Sequence, residues 1–158
     1  MEFDVNKAIK YFQDVITQHY TDFNGRVSRK DFWTYVAVTI VIFIVASILE
    51  RIVGLGVGAL VSLALLLPNA GMTARRLQDT GKPGTLVWIL MIPLLILNLV
   101  GFLAVLSFGA LGLIFLFAGL LPLLALISLV AAIYMIYLCI QPGNAGSNQY
   151  GPEPASAT

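Results

Sequence analysis

Polar and apolar positions along this chain fall into long blocks. From Leu86 to Leu138 no charged side chain occurs. A helix crossing a hydrocarbon core of about 30 Å needs about 20 apolar residues, so this run is too long for one crossing and predicts two helices. Upstream, an apolar run begins near Trp33, is broken at Glu50-Arg51, resumes at Ile52 and ends at Met72. It too exceeds one crossing and predicts a tight helical hairpin, with Glu50 and Arg51 at its tip. The expected fold is all-α, an integral membrane four-helix bundle over about 31–49, 52–72, 85–106 and 113–140, with an outer turn over Ser107–Gly112.

The polar lead has its own rhythm. Val5, Ile9, Phe12 and Ile16 recur at three- and four-residue spacing, with Ala8 and Val15 beside them. That is an amphipathic helix within residues 1–24. It lies along the membrane interface, packs on the protein's own polar face, or does both. Ser28 with Asp31 three residues on reads as a capping box opening the first crossing. Pro68 is expected to kink or end the second crossing, with Asn69 helping to satisfy the freed backbone groups. Gly54-x-x-x-Gly58 permits close helix approach. The last segment, 141–158, is a Gly/Pro-rich tail that composition alone would make loose.

Composition sharpens the class. The 158 residues are 59% hydrophobic and 11% charged, where soluble domains sit near a quarter charged. The formal net charge of +1 argues for no partner in bulk, and the basic residues are too few and too close to the membrane for nucleic-acid binding. The distribution of charge sets an orientation. Lys7, Lys10, Arg26, Arg29 and Lys30 precede the first crossing, and Arg75, Arg76 and Lys82 lie between the second and third, against Arg51 alone on the opposite loops. Cytoplasmic loops collect Lys and Arg, so four crossings place both termini in the cytoplasm. Trp33, Tyr35, Trp88, Tyr134 and Tyr137 fall at the predicted cytoplasmic ends, as interfacial aromatics do. No signal peptide precedes the first apolar run, so that segment is expected to remain as an anchor. Cys139 is the one cysteine and can form no internal disulfide. It reads as a small helix-end residue, with acylation as the alternative.

Three polar stretches stand out: Gly25-Arg26-x-Ser28-Arg29-x-x-Phe32-Trp33, then Arg75-Arg76-Leu77-x-Asp79-Thr80-Gly81, then Gly146-x-Asn148-x-Tyr150-Gly151-Pro152-x-Pro154. In this order around four hydrophobic helices they resemble the YhaH/YhaI-type bacterial inner-membrane family, a domain of unknown function. The resemblance spans about Tyr11 to Pro154 and implies an inner-membrane location and a four-helix fold, with no activity attached. Where that family's central motif carries a His, Gln78 stands here, which keeps hydrogen bonding and loses titration near neutral pH. Its Ser-Gly-Trp stretch is replaced by Pro83-Gly84-Thr85. The tail's match to the family suggests a defined turn docked on the cytoplasmic face.

The candidate site is the set Arg75, Arg76, Asp79, Arg26 and Arg29, which the predicted topology puts at one cytoplasmic surface. The planar guanidinium fork suits phosphate and carboxylate. One reading is an internal Arg–Asp clamp with a role in topology. The other is a site for anionic lipid headgroups or a membrane-protein partner, with homo-oligomers included among the partners. No catalytic set is expected, since His19 is the single histidine and no triad can be assembled. No metal-ligand spacing and no phosphate-binding glycine loop occur, so no metal or cofactor is expected. The rival function is a small oligomeric transporter or channel using Glu50; ion coupling needs a carboxylate inside the membrane, the last two crossings have none, and Glu50 is placed at the hairpin tip beside Arg51.

Overall fold

The computed structural model describes residues 4–53, 56–106 and 120–155. Among them the chain is helical: α1 (Val5–Gln18), α2 (Arg29–Val53), α3 (Val57–Asp79), a short 3₁₀ turn (Gly84–Leu86), α4 (Val87–Leu106) and α5 (Leu120–Ile140). One isolated bridge pairs Asn148 with Gly151 in the tail. Arg29–Val53, Val57–Asp79 and Pro122–Ile140 are long and apolar enough to cross a membrane, and Gly84–Ile96 is a shorter apolar stretch. The expected turn over 107–112, the start of the fourth expected helix and Gly54 lie outside the described residues. The chain divides into two units, residues 1–84 with 141–158, and residues 85–140.

In the first unit α1 lies against α2 and α3. Asp4 caps α1, its carboxylate accepting from the Asn6 and Lys7 amides at 3.0 and 3.2 Å, which satisfies two of the orphan donors of a helix start. Ala8, Phe12 and Val15 are buried, and the Phe12 ring stacks on Tyr35 of α2 at 5.3 Å. Val5 and Ile9 of the same helix stay exposed. The apolar stripe therefore serves the protein's own core on one flank and remains open on the other.

The outward residues of α2 are apolar: Ile40, Val41, Ile44, Val45 and Ile48 are all exposed. This inverts the soluble pattern, as a helix surrounded by lipid requires. At the hairpin tip Glu50 reaches across to α3 and accepts from the Gly58 amide at 3.1 Å. The carboxylate thus caps the start of α3, whose N-cap residue, Gly56, has no side chain to do so. A Cβ at Gly58 would stand 2.5 Å from Glu50 Oε2, so this glycine admits the carboxylate.

The helix α3 departs from expectation in two respects. It does not end at Pro68 or Met72 but continues through the Arg-Arg-Leu-Gln-Asp stretch to Asp79. Those residues are good helix formers, and their charges find partners once folded. Pro68 has no amide for the Ala64 carbonyl, and the Tyr20 hydroxyl donates to that carbonyl at 2.6 Å. The expected partner, Asn69, is engaged elsewhere: its Oδ1 accepts from the Tyr35 hydroxyl at 2.8 Å.

In the second unit α4 and α5 pack together. The buried residues of α5 include Ser128, Ala131, Met135 and Leu138, a stripe at three- and four-residue spacing. Cys139 is also buried.

Candidate functional site

Two helix termini and the tail build the site. At the start of α2, Ser28 Oγ accepts from the Asp31 amide at 3.1 Å and donates to the Asp31 carboxylate at 2.7 Å. The serine half of the expected capping box is present, and the carboxylate returns to the serine hydroxyl. The Val27 amide donates to the Arg75 carbonyl at 3.3 Å, which ties the lead into α2 onto α3.

The end of α3 closes with Gly81 in the left-handed region at φ +76°. The Gly81 amide donates to the Gln78 carbonyl at 3.0 Å and the Lys82 amide to the Leu77 carbonyl at 3.0 Å. These are the paired bonds of a Schellman motif, and they explain the Asp79-Thr80-Gly81 stretch. The tail completes the cap. The Asn144 amide donates to the Asp79 carbonyl at 2.8 Å, and Asn148 Nδ2 donates to the Gln78 carbonyl at 2.9 Å. The tail thus takes the Asp79 carbonyl, which a helix end would leave orphaned, and adds a second donor to that of Gln78.

At the centre stands the Asp79 carboxylate. Arg26 Nε donates to Oδ1 at 2.9 Å, and Arg26 Nη2 lies 2.9 Å from the same oxygen. Arg76 Nη1 pairs with Oδ2. The side chains are 1% exposed for Arg26, 4% for Asp79 and 0% for Arg76. Two guanidiniums against one carboxylate leave a net positive charge out of water, and the tail disperses it over backbone carbonyls. Arg26 Nη1 donates to the Gly146 carbonyl and, at 3.3 Å, to that of Gly151, and Nη2 donates to that of Asn144. Arg76 Nη2 donates to the Gln141 carbonyl, and its Nη1 reaches that of Val27 at 3.4 Å. Full use of the donors is the condition for burying such a charge. Gly143 passes so close to Asp79 that a Cβ there would collide with the carboxylate.

The remaining residues of the set behave differently. Arg75 is buried on another side of α3, 3.7 Å from the Asp22 carboxylate, with Nη2 on Met72 Sδ at 3.1 Å. Tyr11 of α1 belongs to this side. Burial, followed by the charge of Asp31, pushes its phenol from 10.0 up to about 12, against the lowering influence of Arg75. Gln78 Nε2 donates to the Phe23 carbonyl at 3.0 Å, a fastening use of the residue. Arg29 is exposed and stands outside this network. A cleft of about 150 Å³ between the start of α2 and the tail has Arg29 on its wall together with Arg26, Asp79 and Glu153.

The structure thus brings together Arg26, Arg76 and Asp79, sets Arg75 on a second ion pair and leaves Arg29 at the surface. Sequence reasoning missed Gln141 and Asn144, and it gave Asn148 no role. For Asn148 the signal was present in the tail motif, whereas a backbone carbonyl carries no residue-type signature. The three motif stretches are three parts of one structure.

A small helical membrane protein with a buried Arg–Asp–Arg clamp at one end is the class that fold and site define. The chain belongs to the family described as protein of unknown function (DUF805), whose model matches residues 20–152. It is 28% identical over 81 residues to the inner membrane protein YhaI of Escherichia coli (strain K12), covering 49% of this chain and 69% of that protein. It is likewise 28% identical over 86 residues to the uncharacterized protein YiiR of the same strain, covering 52% of this chain and 58% of that one. No solved structure matches the chain.

Proposed function

We infer that the protein is a non-catalytic, multi-pass module of the bacterial inner membrane that binds anionic headgroups or an acidic membrane partner at its cytoplasmic face. Four crossings, α2 to α5, put both termini in the cytoplasm. Support comes from the tail: it closes the end of α3 beside the start of α2, so an even number of crossings separates residue 84 from residue 141. The exposed apolar flank of α1, Val5 and Ile9, lies in the interface at the same level.

The observation that carries the reading is the division of the arginines. Arg26 and Arg76 are spent on Asp79 and on the tail, which makes them the frame of the surface. Arg29 presents its charge outward and, beside Lys30, is placed to meet phosphate or carboxylate. The transporter reading needs a carboxylate available for coupling, whereas Glu50 is used as a helix cap.

The test is native mass spectrometry of protein released gently from its own membranes, wild type beside the Arg29→Gln, Lys30→Gln double variant. A retained anionic lipid or acidic partner that disappears in the folded variant supports the reading. Identical adducts in both samples overturn it.

A further inference from the structure

The helix α2 carries two open grooves along its outward side, and they differ in charge. The one near the hairpin tip, about 460 Å³, runs from Ile40 to Ser47, Ile48 and Arg51. It carries a single cation, Arg51. The other, about 430 Å³, is bounded by Arg29, Lys30, Trp33, Thr34 and Ala37. The second has two cations at its head, both exposed, and an indole and small side chains below. The neighbouring cleft beside Arg29 is lined by Arg26 and Arg29 and by Asp79 and Glu153, so acids match its cations, whereas the α2 groove has two cations at its head.

Resting on the headgroup-binding reading above, we propose that this groove holds one anionic phospholipid. Its phosphate lies on Arg29 and Lys30, and one acyl chain runs along Trp33 and Ala37 toward the membrane interior. The groove's chemistry selects the occupant. A basic head calls for an anion, and an apolar continuation along a membrane-crossing helix calls for a chain. A free phosphate satisfies only the head, and a zwitterionic lipid brings the same phosphate with an ammonium group that two neighbouring cations repel. Trp33 is half-buried at the headgroup level, where indoles concentrate. The clamp fixes the geometry, because Val27 and Ser28, just before Arg29, are held by α3 and by the Asp31 cap.

The experiment uses the full chain in detergent, titrated with phosphatidylglycerol or phosphatidylcholine and read by native mass spectrometry as the fraction carrying one lipid. Three proteins are compared: wild type, Arg29→Gln with Lys30→Gln, and Ala37→Trp. The last fills the groove from an exposed position without touching the charges. Retention of the helical signal and of the thermal transition verifies folding in each. The wild type should prefer phosphatidylglycerol. Removing the two cations should weaken that lipid by roughly 30-fold, since each basic residue at an anionic surface contributes about fivefold, and leave phosphatidylcholine unchanged. Ala37→Trp should also reduce phosphatidylglycerol retention. If the charge variant loses the lipid while Ala37→Trp keeps it, the surface binds headgroups without this groove and the proposal is overturned alone. If neither variant changes retention, both the proposal and the headgroup reading fall. If only Ala37→Trp changes it, the lipid is held without charge selection, and both fall again.

Discussion

Replacing Asp79 by Asn keeps the shape of the side chain and removes the single negative charge of the clamp. The two guanidiniums it holds are 1% and 0% exposed, so water cannot take over. A solvent-exposed ion pair would lose at most about 1 kcal/mol. Removing one partner of a buried pair costs about 3–5 kcal/mol, because the partner's charge stays buried without compensation. Here two cations are left facing one another, which places Asp79→Asn in the upper part of that range. The losses should also be non-additive: with Arg76→Gln already present, Asp79→Asn leaves one uncompensated cation instead of two and costs less than it does in the wild type. Equilibrium unfolding in bicelles, followed by steric trapping, measures these free energies. A cost for Asp79→Asn within about 1 kcal/mol of zero would refute the reasoning, because it would mean that water reaches the arginines.

The Tyr20 hydroxyl is the substitute donor for the Ala64 carbonyl, so Tyr20→Phe should cost about 1 kcal/mol. In a Pro68→Ala background, where the amide returns, it should cost almost nothing; equal costs in both backgrounds would contradict this. Glu50→Ala should destabilise by about 1 kcal/mol, as loss of a helix N-cap does, and Gly58→Ala should remove the same interaction, so that the two together cost little more than either. Strict additivity in the same unfolding assay would argue against the cap. The phenol of Tyr11, held at about 12 against an ordinary 10.0, keeps its proton in the fold at a pH where the unfolded chain has released it. The folded state binds more protons in that interval, so stability falls as pH rises. The contribution is complete below pH 10 and is lost between about 10 and 12, and Tyr11→Phe should abolish this part of the pH profile.

The class of this protein was legible from its blocks of hydropathy, and the helix starts were legible where a side chain caps them, as at Ser28 and Asp31. The end of α3 was harder. Pro68 and the cluster of charge after Met72 read as a stop, and the helix continues because Tyr20 and Asp79 meet the needs that Pro68 and the arginines create. Those partners lie 44 residues from Ala64 and 53 from Arg26 respectively, at separations that no local periodicity reports. The Arg76–Asp79 pair, three residues apart on one helix, was open to reading as an internal clamp. The family resemblance suggested a tail docked on the cytoplasmic face; what stayed hidden was that it docks through backbone groups, on Arg26, Arg76 and Asp79. Gly, Pro, Asn and Ser look loose because they have little to bury, yet a chain that offers carbonyls and amides suits two buried guanidiniums and an open helix end. Arginine as a residue type does not say whether it faces inward or outward, which is why Arg26 and Arg29 could be told apart only in three dimensions.

The claim at the centre of this account is that Arg26, Asp79, Arg76 and the tail form one closed structure. Hydrogen exchange of the tail amides, in the full chain embedded in lipid nanodiscs, tests it most directly. The account predicts slow exchange at Asn144, Asn148 and Gly151, whose amides donate to the Asp79, Gly151 and Asn148 carbonyls, and loss of that protection in Arg26→Gln. Exchange of these three amides at unstructured rates in the wild type would contradict it.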